Sequence, residues 1–188
     1  IKIAFNAISK ANMRIIRTID LILNMSELQV GAYTPHVRKL KLFPDVLDTI
    51  IPDFNNEIKE KKLSFNVNCT VKDDSFMGDS YSVSQIFINL LDNAIKYTKN
   101  GSVNLDVSCS NELLTVEISD TGIGISETYM QNLFKPFSQE DEGYTRKYEG
   151  NGLGLALVKR YCELNNCQIS VSSKKGEGTK FTLNFKKS

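Results

Sequence analysis

An α+β fold is what this 188-residue sequence predicts: an α/β sandwich with a mixed sheet of about five strands and helices on one face, preceded by a long N-terminal helix. Two observations carry that expectation. Residues 1–31 contain no proline and hold their apolar residues at helical spacing, and everything after them alternates between runs of period two and runs of helical period.

In the opening stretch Ile8, Ile15, Ile19 and Ile22 fall on one side of a helix, and Gly31 offers its stop. Such a helix either lies on its own domain or belongs to a bundle or dimer whose partner helices come from elsewhere. After GAYTP, the run VRKLKLF alternates as a strand, PDVLDTIIPDFNNEIKEKKL reads as a helix and SFNVNCTV as another strand. Asp79 or Ser80 caps a helix reaching to about Thr98. Two strands follow, SVNLDVSCS and LLTVEISD, joined at Asn111 and Glu112 by a tight hairpin. A short helix, SETYMQNLF, leads into SQEDEGYTRKYEGNG, which lacks periodicity and is long for a compact loop. The helix LGLALVKRYCELNN and the strand pair CQISVSSK and GTKFTLNFK close the chain. The expected organisation is a partial helical hairpin over 1–31 and one domain over 32–188.

Lys and Arg total 23 against 22 for Asp and Glu, a net charge of +1 that provides no footprint for nucleic acid or an anionic membrane. Cys69, Cys109, Cys162 and Cys167 form no C-x-x-C pair, and His36 is the single histidine, so no zinc-type cluster is expected. The cysteines read as reduced, buried filler. No apolar run reaches the roughly 18 residues that span a bilayer. A cytoplasmic, soluble piece of a longer protein is expected, since the chain opens on Ile1 in mid-helix; a membrane anchor elsewhere in the parent is compatible with that.

Three stretches carry chemistry. On the helix that begins near Ser80, Asn89, Asn93 and Lys96 share one face, opposite Phe87, Leu91, Ala94 and Ile95. Two carboxamides and an ammonium therefore point away from the core, either as a solvated face or as part of a site. In EGNGLGLALVKRY, Gly150, Gly152 and Gly154 precede a helix N-terminus, which suits phosphate but also suits a hinge. The third stretch, DTGIGI at 120–125, opens with a carboxylate that a triphosphate would repel. If the later glycines take the phosphates, Asp120 is free to accept a hydrogen bond from an exocyclic amine such as adenine's.

In order along the chain, NLLDNAIKYT, DTGIGI, FKPF, GNGLGLAL and GEGTKFTLNF resemble the N, G1, F and G2 boxes and the terminal strand of sensor histidine kinases. Those kinases share a superfamily with gyrase, heat-shock chaperones and mismatch-repair ATPases. The resemblance implies Mg-ATP held between the helix of the N box and a lid over roughly 138–151. It implies that Asn93 holds Mg2+ with Asn89 nearby, that Lys96 approaches the phosphates, that Tyr97 packs on the base and that Asp120 bonds the adenine amine. Thr179 joins the adenine's water network. Gly122, Gly124 and Ile125 lie beside the base, Gly150, Gly152, Leu153 and Gly154 beside the phosphates, and Phe134 and Phe137 at the lid base. Arg146, with Lys147, either carries solvated lid charge or swings in on the transferred phosphoryl group. Asn151 departs from the family's usual Thr or Ser.

Residues 1–31 resemble the second helix of the kinase dimerisation hairpin, and His36 lacks the context of the family's acceptor. The implied activity is transfer of the ATP γ-phosphoryl group to a histidine on a helix outside this sequence. The implied partners are that helix, a response regulator receiver domain and a second copy of the parent in a homodimer. Related ATPases place a glutamate where Asn89 stands, and an amide cannot act as that base. Two alternatives remain: an ATPase of the gyrase or chaperone type, and a pseudokinase that binds ATP without transferring phosphate.

Overall fold

The computed structural model describes residues 2–110, 112–140 and 150–187. Helix α1 spans Lys2–Gln29. It ends where Gly31 takes φ +71° and the Ala32 N–H closes back on the Glu27 carbonyl at 2.9 Å, an arrangement that satisfies an orphan helix carbonyl. Ile8, Ile15, Ile19 and Ile22 are all half or more exposed, whereas Met25 is buried against the domain. The apolar stripe therefore does not lie on its own domain.

Strand β1 (Val37–Lys41) pairs antiparallel with β3 (Ser75–Asp79) in a two-stranded sheet of its own. Sequence periodicity misses β3 because four of its five residues are buried, which removes the alternation that marks a half-exposed strand. The helix expected from Pro44 onward begins as a π-helical turn, Phe43–Leu47, and continues as α2, Asp48–Lys61.

The main sheet has five strands in the order β2-β4-β5-β7-β6. They are β2 (Ser64–Cys69), β4 (Ser102–Ser110), β5 (Leu113–Asp120), β6 (Gln168–Lys174) and β7 (Gly178–Lys186). Only β2 with β4 is parallel. A parallel join needs a long crossover, and helix α3 (Ser80–Tyr97) lies within it. The register puts Val103, Leu105 and Val107 of β4 on the same face as Leu114, Val116 and Ile118 of β5 and Phe181, Leu183 and Phe185 of β7. All nine are buried. Asn104, Asp106, Glu117 and Lys180 occupy the opposite phase, so a one-residue slip would invert every one of these pairs.

Asp79 caps α3 by accepting the Ser82 N–H at 2.8 Å. Val83, Ile86, Phe87, Leu90, Leu91 and Ile95 of α3 have no exposed surface, and each contributes about 1.5–3 kcal/mol of apolar burial. Helix α4 is shorter than its sequence implies, Glu127–Met130, because Pro136 disfavours helical backbone just before it and the chain turns instead. Helix α5 (Gly154–Leu164) packs against α3. Cys162 and Cys167 are the buried filler expected of them; Cys69 and Cys109 are exposed, a correction that follows from their place at the far ends of β2 and β4.

Candidate nucleotide-binding site

Asp120 is the last residue of β5, opposite Thr179 at the start of β7. Its carboxylate accepts the Gly122 N–H at 2.8 Å, a local turn that carries the chain off the strand. A Cβ on Gly122 would stand 2.5 Å from the Tyr97 carbonyl, one on Gly124 2.0 Å from the Lys174 carbonyl, and one on Gly178 1.9 Å from the carbonyl of Asp120 itself. Gly124 and Gly178 also hold φ of +61° and +99°. These glycines are thus required by backbone packed on backbone, which seals the loop 120–125 onto the β6–β7 hairpin.

Burial pushes the Asp120 carboxyl up to about 6, a rise that the Gly122 and Thr179 amides only partly offset. Beside it the Ile125 N–H donates to Ser173 Oγ at 2.9 Å, and that hydroxyl contacts the Gly178 carbonyl at 2.7 Å and Thr179 Oγ1 at 2.9 Å. Sequence reading passes over Ser173. The signal was available, since Ile169, Val171 and Ser173 share the inward phase of β6 and a serine there must find polar partners.

At the other end stand Asn89, Asn93 and Lys96 of α3. The expectation that all three point away from the core holds for neither solvent nor Asn89: that residue is only 4 % exposed, because the start of α5 covers it. Its Nδ2 donates to the Gln85 carbonyl at 2.8 Å, which turns Oδ1 toward the glycine turn, where a Cβ on Gly154 would lie 3.0 Å away. Asn93 is half-buried. Lys96 Nζ donates to the Tyr97 hydroxyl at 3.2 Å and sits 4.7 Å from the centre of that ring. Burial lowers the pKa of its ammonium, and the Asp92 carboxylate counteracts it. A Cβ on Gly150 would come within 3.0 Å of the same Nζ.

Gly152, at φ +70°, accepts the Phe137 N–H at 3.0 Å and leaves no room for a Cβ, which would be 2.7 Å from the Ser138 carbonyl. The Asn151 carboxamide accepts the Leu153 N–H at 3.2 Å, so the residue that departs from the family pattern performs a capping task that a hydroxyl also could. Leu153 is buried, and α5 begins without a side-chain cap, leaving backbone N–H groups available to an anion. Phe134 packs partly buried on the core. Phe137 is 70 % exposed with φ +61°, so its backbone rather than its ring is the anchor at the lid base. Arg146, Lys147 and most of the lid expected over 138–151 lie outside the described residues, as does Asn111. His36 is exposed in the segment between α1 and β1, and its backbone N–H donates to Asp79 at 2.9 Å.

The site therefore has a desolvated carboxylate and a hydroxyl network at one end, and a carboxamide oxygen, an ammonium and a helix N-terminus at the other. Over residues 78–188 the sequence matches the family described as histidine kinase-, DNA gyrase B-, and HSP90-like ATPase. The chain belongs to this family. An uncharacterized sensor-like histidine kinase of Rhizobium meliloti is 33 % identical over 173 residues, covering 92 % of this chain and 33 % of that protein. The circadian input-output histidine kinase CikA of Synechococcus elongatus is 34 % identical over 184 residues, covering 94 % and 24 % respectively. The autoinducer 2 sensor kinase/phosphatase LuxQ of Vibrio vulnificus is 32 % identical over 171 residues, covering 87 % and 20 %. This chain thus spans a third or less of the length of these relatives. Among solved structures, full-length ShkA in complex with AMPPNP superposes with a TM-score of 0.80 at 22 % identity, over 93 % of this chain and 36 % of that one. The Acinetobacter baumannii histidine kinase AdeS gives 0.76 at 21 % identity, over 97 % and 83 %. Both share the five-stranded α+β fold of this family's ATP-binding domain. Among the described residues no helix is long and apolar enough to cross a membrane.

Proposed function

We propose that residues 32–188 bind Mg-ATP and transfer its γ-phosphoryl group to a histidine on a helix outside this chain, residues 1–31 being the second helix of the dimerisation hairpin that carries it. The observation that supports this most is the amide at Asn89. Hydrolysis needs a base to take a proton from water, whereas the imidazole of histidine is already a nucleophile near neutral pH. Asp92, the acid of α3, is paired with Arg17 at 2.6 Å instead of facing a water. The nitrogen–phosphorus bond forms as the bond to the β-phosphate oxygen breaks and ADP leaves; the protein's task is to align these atoms and neutralise charge.

In this reading the ionised Asp120 accepts from the adenine amine, and Tyr97 flanks the base. Lys96 and the N–H groups at the start of α5, with Gly150, Gly152 and Gly154 giving close access, meet the phosphates. The fit of Mg2+ rests on Asn89 Oδ1, which its own Nδ2 bond to Gln85 turns toward the phosphate side, with Asn93 one helical turn on. Amide oxygens suit a cation held chiefly through phosphate oxygens and water. Mg2+ supplies charge neutralisation there. In the full-length protein the partners would be a second copy and a receiver domain that takes the phosphoryl group from the histidine.

Radiolabelled ATP tests the assignment. The chain alone is expected to bind Mg-ATP, release little phosphate and retain no acid-labile label; a second polypeptide with a complete histidine hairpin should acquire it. Acid-labile label on the chain itself that disappears in His36→Gln would overturn the assignment. Steady phosphate release would point to an ATPase, and binding with no label on any hairpin to a pseudokinase.

A further inference from the structure

We infer that Ser173 sets the base preference of this site by fixing the Thr179 hydroxyl as an acceptor toward the ligand. The inference rests on the nucleotide-binding reading above.

A serine hydroxyl has one proton and two lone pairs. The Gly178 carbonyl can only accept, so at 2.7 Å it takes the Ser173 proton. The Ile125 N–H can only donate, so at 2.9 Å it takes one lone pair. What remains for Thr179 Oγ1, at 2.9 Å, is the second lone pair, and Thr179 must therefore donate. With its proton committed to Ser173, Thr179 offers only lone pairs to whatever lies beside Asp120, its register partner across β5 and β7. The ionised Asp120 also only accepts. Two acceptors side by side match an exocyclic amine, which brings two N–H donors, and repel an exocyclic carbonyl. Adenine carries the amine at that position and guanine the carbonyl. Ser173 is thus a positioning residue that acts through Thr179.

Calorimetric titration of the full chain with Mg-ATP and with Mg-GTP tests this. In Ser173→Ala the Thr179 hydroxyl regains its freedom to donate, so the ratio of ATP to GTP affinity should fall about three- to tenfold, the worth of one hydrogen bond. Ser173→Thr, which keeps the hydroxyl, should hold the ratio. Thr179→Val should lower it, and adding Ser173→Ala to Thr179→Val should change it no further. A loss of affinity shared equally by ATP and GTP in Ser173→Ala would mean a structural role only and overturn the inference, as would an unchanged ratio in Thr179→Val should Ser173→Ala not fold. If the unaltered chain binds neither nucleotide, the nucleotide-binding reading itself falls.

Discussion

Replacing Asp120 with Asn should make the protein more stable near neutral pH while disabling its recognition of the base. Burial holds the carboxyl at about 6 in the folded chain against an ordinary 3.8, so its folded form binds the proton more tightly than its unfolded form. Its stabilising contribution is therefore complete below about 3.8 and lost as pH rises through about 6. At pH 7.5 the ionised group costs on the order of 3 kcal/mol, an upper bound because bound water and relaxation soften a buried charge. Asp120→Asn removes that charge in nearly the same shape. Its gain over the unaltered chain, measured by urea unfolding at several pH values, should approach that bound above pH 7 and shrink toward zero near pH 4. ATP binding should move oppositely. In the unaltered chain affinity should rise as pH increases through about 6 and then level off, because only the carboxylate accepts from the amine; at one pH unit below that value it should be about tenfold under its plateau. The terminal phosphate of ATP titrates in the same region, so the Asp120→Asn titration, carried out in parallel, provides the baseline. Identical pH profiles for the two proteins, or an Asn variant less stable at pH 7.5, would refute the reasoning.

Asp79→Ala should destabilise the chain by about 2–4 kcal/mol, read as a lower urea midpoint at constant slope, because it strands the N–H groups of Ser82 and His36 at 2.8 and 2.9 Å and the Tyr33 hydroxyl at 2.5 Å; a loss under about 1 kcal/mol would show that water replaces the carboxylate. Arg17→Ala should change stability by less than about 1 kcal/mol, because its bridge to Asp92 is 38 % and 27 % exposed on its two sides, yet it should quicken hydrogen exchange in α1 by releasing that helix from α3. Unchanged exchange along α1 would mean that Met25 and the Tyr81–Asn24 contact hold the helix without the ion pair.

What the sequence reveals of this fold divides along physical lines. The strands β4, β5 and β7 each have one wet and one dry face, and their alternation is visible residue by residue. Helix α3 shows in the same way, with Asp79 as a cap that its chemistry announces. Strand β3 is invisible because burial on both faces erases the period, and α4 is overlong in the sequence because helical spacing persists past the point where Pro136 makes it impossible to use. In the site, the helical wheel puts Asn89 on a polar face but contains no information about what lies above that face. It cannot show that α5 covers Asn89 or that the Gln85 carbonyl orients its amide. The glycines of 120–125 are legible as glycines, while the carbonyls that exclude a Cβ, those of Tyr97 and Lys174, come from two segments distant in sequence. Phe137 misleads for a related reason: hydrophobicity argues for a buried ring, and the structure uses its left-handed backbone.

The two ends of the site share an energetic logic. At one end a carboxylate is kept where its charge is disfavoured, and at the other burial disfavours the charge of the Lys96 ammonium. Neither end is relaxed by its protein neighbours: the Gly122 amide only partly offsets the burial of Asp120, and Asp92, the carboxylate that most supports the Lys96 charge, is drawn off by Arg17. A ligand that places N–H donors at Asp120 and negative charge at Lys96 relieves both costs together. One bearing only one of these groups relieves half. Fixed, poorly solvated charges that await their complement contribute most to binding when the complement arrives, since no reorganisation is then required. Specificity for a molecule that is a base at one end and a polyphosphate at the other is thus built from two local instabilities held apart by the rigid register of β5 and β7 against α3.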